Sequence, residues 1–305
     1  MSKLSLAVEL AGLGLRNPTM NAAGILGMSS HQLKRLYEGG AGAVVTKSLG
    51  KQPRNGHPNP TIVFVEGGIV NSMGLPNPGA EYFKDEIKRL KAENIPVLAS
   101  FFAASIEDFT YLASLFTESG ADALEINCSC PNVGREKCML EADLESLEMV
   151  TKAVREASSL PIFVKLTPNV ANIVEGAKVA EENGADGITA VNTLKALAVD
   201  INMRKPILSN IIGGLSGPAL KPVALRCVWE LFENIEIPII GCGGVSNWRD
   251  AIEFLLCGAS AVQIGTALMD HGVEIFKEVN EGIRRYLEEN GFGGVRDIVG
   301  LAHET

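Results

Sequence analysis

A single (β/α)8 barrel is the fold that this 305-residue sequence predicts, and three regularities predict it. Four apolar runs follow a glycine-alanine pair: residues 42–46 after Gly40-Ala41, 123–127 after Gly120-Ala121, 187–192 after Gly184-Ala185 and 261–266 after Gly258-Ala259. Four others open with proline, at 18–22, 96–100, 161–165 and 238–241. The two kinds alternate along the chain with helix-patterned stretches between most of them, which gives eight βα units in a chain of ordinary length for such a barrel. An open doubly wound sheet is the runner-up, but nothing in that fold requires an eightfold alternation.

Each element has its own signal. The N-terminal segment before residue 18 predicts a short hairpin. Glycine ahead of a strand is the expected residue just past a helix end, where the chain turns left-handed. Proline at a strand's first residue is tolerated because no ladder donor is needed there. The intervening stretches repeat apolar residues at helical spacing, as in Leu144, Leu147, Val150, Val154 and Ala157, or Tyr111, Leu112, Leu115 and Phe116. Two stretches break the pattern. Residues 49–80 hold five prolines and show no helical period, and residues 193–220 form a second interruption. They read as long insertions after strands 2 and 6, on the barrel face where loops carry sites. The whole chain, 1–305, reads as one barrel domain.

Composition narrows the function. With 46% hydrophobic and 21% charged residues the chain can bury a large core. A formal net charge of -9 leaves no surplus of Lys and Arg to neutralise phosphates, so nucleic acid is not an expected partner. The six cysteines lie between positions 128 and 257 without framework spacing, and MSKLSLAVELAGLG lacks a signal peptide's apolar run. The expectation is a reduced, cytoplasmic location, with no membrane span because no apolar stretch approaches the roughly 20 residues required.

The chemistry centres on ALEINCSCPN at 123–132. An apolar strand runs into a polar tip with Asn127, Cys128, Ser129, Cys130 and Asn132, and Pro131 stops both ladder and helix there. A thiol on such a loop can act as base or nucleophile if its thiolate is stabilised; the competing reading is a cysteine that only packs. The chain has no CxxC and no histidine near this pair, so a metal site is not expected. The other strand ends add Asn21-Ala22-Ala23-Gly24, Thr46-Lys47-Ser48, Lys165 to Asn169, Asn192-Thr193, Gly241-Cys242-Gly243-Gly244 and Gly265-Thr266. Glycines on the last two strands suit a phosphate group, which bare backbone N–H groups can surround. Lys47 and Lys165 each follow an apolar run and should project into the mouth, where two cations among neutral amides fit a planar heterocycle with carbonyls and a carboxylate. Snorkelling to solvent is the alternative for both. The histidines, His31, His57, His271 and His303, fall outside the strand ends and receive no role.

Seven motifs in order, NSMGLPNPG at 71–79, NCSCPNV at 127–133, VKLTPNV at 164–170, VNT at 191–193, GGLSGPALKPVAL at 213–225, GCGGV at 241–245 and QIGTA at 263–267, resemble the class 1 dihydroorotate dehydrogenases over nearly the whole chain. The resemblance implies a TIM barrel that binds FMN and oxidises dihydroorotate to orotate in pyrimidine synthesis. Position by position, Cys130 matches the family's base, which takes the C5 proton while hydride leaves C6 for flavin N5. Asn71, Ser72, Met73, Gly74, Leu75, Asn127, Asn132, Asn192 and Thr193 match substrate positions, and Lys47 matches a lysine shared by substrate and flavin. Ala23, Ser48, Ser100, Asn127, Lys165, Val191, Gly217, Gly243, Gly244, Gly265 and Thr266 match the flavin's surroundings, although Ser100 stands where the class 1B pattern has asparagine.

The run VNTLKALAVDINMRKPIL with GGLSGPALKPVALR is similar to class 1B. That likeness implies a homodimeric core, or a heterotetramer whose partner subunit carries FAD and a 2Fe–2S cluster and passes electrons to NAD. NSMGLPN is nearer to class 1A, a homodimer that uses fumarate. Cysteine at 130, where class 2 enzymes have serine, separates the chain from those membrane-associated relatives. Two alternatives remain: a dihydropyrimidine-dehydrogenase-like reductase of uracil or thymine, and a flavin-binding scaffold without turnover. Asn132 weighs against the first, and Cys130, Lys47 and Asn127 together weigh against the second.

Overall fold

The computed structural model describes residues 4–128 and 143–304. In chain order these form β1 (Val8–Leu10), β2 (Leu13–Leu15), β3 (Thr19–Asn21), α1 (Ser30–Glu38), β4 (Val44–Val45), β5 (Ile62–Val65), β6 (Gly68–Asn71), α2 (Ala80–Ala92), β7 (Val97–Phe101), α3 (Ile106–Glu118) and β8 (Ala123–Asn127). The second half adds α4 (Leu144–Ala157), β9 (Ile162–Leu166), α5 (Ile173–Glu182), β10 (Gly187–Ala190), β11 (Leu194–Leu197), β12 (Val199–Asp200), β13 (Lys205–Pro206) and β14 (Ile212–Ser216). It closes with α6 (Lys221–Phe232), β15 (Ile239–Cys242), α7 (Trp248–Leu256), β16 (Ala259–Ile264), α8 (Leu268–His271) and α9 (Ile275–Glu289).

Eight parallel strands follow one another in the order β3-β16-β15-β10-β9-β8-β7-β4. A bridge between Met20 and Ala43, with Gly42 N–H donating to Thr19 C=O at 2.7 Å, joins the two edges and closes the barrel. These are the eight strands that the glycine and proline openings mark. The prolines work through their carbonyls: Pro18, Pro96, Pro161 and Pro238 accept from Val262, Val44, Leu124 and Ile188 of neighbouring strands at 2.8–3.0 Å. A residue without an N–H can thus start a central strand and still bond to its neighbour. Gly40, Gly120, Gly184 and Gly258 have φ between +86° and +114°, where a side chain would be strained, and they turn each helix end directly into the next strand. Helix starts are fixed by side chains as well. Ser29, Ser105, Asp143 and Asn172 accept from backbone N–H groups of the first turn, and Asn247 forms a capping box with Asp250.

Strand alternation divides the apolar residues into two shells. Leu124 and Ile126 face the helices, in a core that includes Phe101 stacked obliquely between Phe109 and Phe116. Ala123, with Met20, Leu98, Phe163 and Ile240, fills the barrel's interior, and Leu10 and Leu15 of the expected N-terminal hairpin close its lower end. Full burial of each large side chain is worth about 1.5–3 kcal/mol.

The two insertions are not structureless. β5 and β6 form a hairpin in the first, β11 and β14 pair in the second, and all four make one antiparallel sheet in the order β11-β14-β6-β5. The stretches expected to be separate loops therefore build a single wall above the barrel mouth.

Candidate active site

A cavity of about 460 Å³ opens at the C-terminal ends of the barrel strands, beneath that wall. Ala23 after β3, Lys47 and Ser48 after β4, Asn127 on β8 and Lys165 on β9 line it. So do Val191, Asn192 and Thr193 after β10, Gly217 after β14, Gly243 and Gly244 after β15, and Gly265 and Thr266 after β16. The insertion contributes Asn71, Met73, Gly74 and Leu75. Two of the residues singled out in the sequence sit behind the lining. Ser100 is fully buried and meets Ser48 Oγ at 3.0 Å, and Ser72 faces His57. Cys130 and Asn132 lie outside the described residues. Cys128, read above as part of a polar tip, is instead buried in the outer apolar shell, because it continues the helix-facing register of Leu124 and Ile126.

Both lysines are held in the mouth rather than released to solvent. Lys47 is 7% exposed and its Nζ donates to Gly24 C=O at 3.2 Å. Lys165 is 4% exposed; its Nζ donates to Gln263 Oε1 at 2.8 Å, across the barrel lumen. Gln263 in turn donates to Glu125 Oε2 at 2.7 Å, and Thr189 Oγ1 donates to the same oxygen at 3.2 Å. Burial pulls the Lys165 pKa down, yet the negative charge that Cys242 and Glu125 can carry outweighs it and holds the ammonium above its ordinary value. Burial likewise pushes the Cys242 thiol up, so at neutral pH Glu125 is the partner that acts on Lys165.

Neutral amides complete the floor. Asn192 Nδ2 donates to Asn127 Oδ1 at 3.4 Å and Asn127 Nδ2 to Ser48 Oγ at 2.9 Å, a row across the ends of three barrel strands. Above it, Asn71 pairs with Gly214 in the wall, where a Cβ on Gly214 would lie 2.0 Å from Thr193 Oγ1. Wall and floor therefore meet at backbone distance. The Ala190–Val191 peptide beside them is cis.

At the far side the lining is bare backbone. Gly243 and Gly244 have φ of +125° and +87°, and a Cβ on Gly244 would come within 2.7 Å of Lys221 Cβ. Together with Gly217, Gly265 and Thr266 they form a concave surface suited to an anion such as a phosphate. Lys165 at the floor, the amide row and this glycine cradle fit FMN: a cation and hydrogen-bonding groups for the ring system, and bare N–H groups for the phosphate.

Sequence reading missed Glu125, Gln263 and His57. Strand alternation could have found the first two, since each precedes an inward-facing strand-end residue by two positions. His57 clamps the lining loop: its N–H donates to Met73 C=O at 3.0 Å and its Nδ1 lies 3.1 Å from Ser72 Oγ. No local pattern announced that contact.

The sequence model of the dihydroorotate dehydrogenase family matches residues 5–287. The chain belongs to that family. A dihydroorotate dehydrogenase B (NAD(+)) catalytic subunit from Pyrococcus furiosus is 47% identical over 302 residues, covering 99% of this chain and 100% of that protein. The subunits of the same name from Thermococcus kodakarensis and Methanocella arvoryzae are 48% and 47% identical over 304 and 302 residues, each covering at least 99% of both proteins. The class 1B resemblance is thereby borne out over the 1A one. DHODH from Eimeria tenella, solved in complex with ferulenol, superposes with a TM-score of 0.85 over 98% of this chain and 89% of its own; at 22% identity it shows the shared barrel fold. Among the described residues no helix is long and apolar enough to cross a membrane.

Proposed function

We propose that this dihydroorotate dehydrogenase family member oxidises dihydroorotate to orotate in pyrimidine synthesis, as the FMN-containing catalytic subunit of an NAD-linked enzyme. The observation that carries the reading is full-length identity of 46–48% to B-type catalytic subunits, joined to a cavity where two buried lysines, an amide row and a glycine cradle converge.

In this reading Lys47, Asn127, Asn192 and Thr193 hold the pyrimidine flat on the floor, and Asn71, Met73, Gly74 and Leu75 cover it, with Ser72 steadying that loop against His57 from behind and Asn132 as a further contact. The lysine ammonium neutralises the substrate carboxylate, and the amides satisfy ring carbonyls and N–H groups that would otherwise be buried unpaired. Cys130, as thiolate, takes the proton from C5; the C5–H and C6–H bonds break and the C5–C6 double bond forms. FMN, when bound, supplies the acceptor for the hydride and its electron pair leaving C6. Lys165 at the flavin's ring, and Ala23, Ser48, Val191, Gly217, Gly243, Gly244, Gly265 and Thr266 around it, would keep it in place, with Ser100 supporting Ser48 from behind. Covering the mouth excludes water and so strengthens each of these contacts.

A partner subunit carrying FAD and a 2Fe–2S cluster would take the electrons on to NAD. A homodimeric core is supported by apolar side chains exposed on the insertions: Phe64 at 72%, Ile201 at 83% and Met203 at 67%. The location is read as cytoplasmic from the unpatterned cysteines.

The test is an anaerobic titration of the purified yellow chain. Dihydroorotate should bleach the flavin at close to one equivalent, and dihydrouracil should leave it oxidised. Bleaching by dihydrouracil alone would replace this reading with a pyrimidine reductase.

A further inference from the structure

Glu125 is a charged residue where a barrel interior ordinarily carries Val, Ile or Leu. It is fully buried and does not line the cavity, lying one inward-facing position below Asn127 on β8. Its Oε2 accepts from both Gln263 Nε2 and Thr189 Oγ1, at 2.7 and 3.2 Å. Its Oε1 is the buried side-chain atom that, among the described residues, has no hydrogen-bond partner, and it lies 3.8 Å from Lys165 Nζ. Gln263 joins the two from the opposite side of the lumen, giving oxygen to Lys165 and N–H to Glu125. Stability does not explain such a pair. Replacing a buried ion pair by well-packed apolar residues is often neutral or stabilising, whereas removing one partner is costly.

We propose that Glu125 is a positioning residue for Lys165: with Gln263 it keeps the Lys165 ammonium charged and aimed at the cavity floor, where the cation meets the electron-rich edge of the bound flavin. The inference rests on the FMN reading above. Five residues face Lys165 from four strands: Glu125 and Asn127 on β8, Thr189 on β10, Cys242 on β15 and Gln263 on β16. Thr189 and Gln263 are neutral, and burial keeps the Cys242 thiol protonated at neutral pH. Asn127 is neutral as well, so among the described residues Glu125 is the carboxylate that faces Lys165, and without it burial pulls Lys165 toward the uncharged amine. Because Glu125 itself touches nothing in the cavity, its effect on a ligand must pass through Lys165.

The experiment follows FMN affinity of flavin-stripped protein, and the potential of the bound flavin, from about pH 7 to pH 9 in the wild type, Glu125→Gln and Glu125→Gln/Lys165→Met. In the wild type FMN affinity should change less than about threefold across that range. In Glu125→Gln it should fall about tenfold or more, with the flavin potential dropping alongside, because a buried lysine without its anion deprotonates in that range. The double variant, having no lysine to titrate, should be flat. A Glu125→Gln profile that tracks the wild type, or a break that survives in the double variant, would overturn the proposal. Should Glu125→Gln fail to fold, Gln263→Met cuts the bridge and leaves the carboxylate; a smaller break is expected, and a flat profile again counts against the proposal. If the wild type binds no FMN at any pH, the flavin reading fails by itself. Lysine ε-carbon NMR of the unliganded protein then decides about Glu125: a Lys165 resonance that titrates at lower pH in Glu125→Gln supports it, and an unchanged one overturns it.

Discussion

Asn127 Nδ2 donates to Ser48 Oγ at 2.9 Å, and that one bond ties the end of β8 to the end of β4 across the barrel mouth. It orients the amide so that its oxygen faces Asn192, which donates to it at 3.4 Å. Substrate affinity should depend on this orientation. Asn127→Ala removes one hydrogen bond from each of Ser48 and Asn192, and a lost buried partner costs about 1–3 kcal/mol. The KM for dihydroorotate should rise about tenfold to a hundredfold while FMN remains bound. An unchanged KM would show that the amide row is only structural.

The glycine cradle makes a sharper prediction for the cofactor. Gly244 has φ +87°, and a Cβ there would meet Lys221 backbone N at 2.8 Å as well as its Cβ. Gly244→Ala should therefore purify with little FMN, and added FMN should bind about tenfold or more weakly, since both the clash and a left-handed alanine strain the loop. Full occupancy in the variant would move the phosphate elsewhere.

Alkaline pH gives a readout of the link between the first insertion and the helices. Tyr111 on α3 donates to Glu81 on α2, with Lys51 over its ring at 5.0 Å. That hydrogen bond, then burial and the carboxylate's charge, push the phenol up to about 12. The folded state thus favours the protonated phenol. Its stabilising contribution is complete below the unfolded pKa of about 10 and is lost as pH rises through about 12. The difference in phenolate absorbance between wild type and Tyr111→Phe should have its midpoint near 12. A midpoint near 10 would mean that the Glu81 contact is not kept in solution.

Assembly is testable through the insertion face. Ile201 and Met203 sit in the turn between β12 and β13, and charges placed on an apolar contact surface are left buried and unpaired. Ile201→Asp/Met203→Asp should convert a two-chain particle to one chain in light scattering, with the flavin spectrum retained. An unchanged dimer would place the interface on another face.

The barrel was legible because its punctuation is chemical. A proline carbonyl or a left-handed glycine can be recognised from one residue, and eight of them in alternation leave few other folds. Most of the cavity lining followed, since strand ends can be read once strands are known. The wall was not legible. Residues 62–65 and 68–71 read as loop because proline and glycine surround them, and the pairing of 68–71 with β14 is decided by contacts about 140 residues away. Glu125 was overlooked for a related reason: within a buried run its neighbours Leu124 and Ile126 conceal that it faces the other way. Ser100 shows the limit from the opposite side, for a strand-end position one layer too deep supports the lining without joining it.

The central claim is that a thiol at position 130 removes the C5 proton beside a flavin. Anaerobic stopped-flow reduction of the bound FMN by dihydroorotate, comparing wild type with Cys130→Ser at neutral pH, tests it most directly. The variant should keep its flavin and reduce it about a thousandfold or more slowly, because a serine hydroxyl is a far weaker base there. Near-normal reduction by the serine variant would contradict the account.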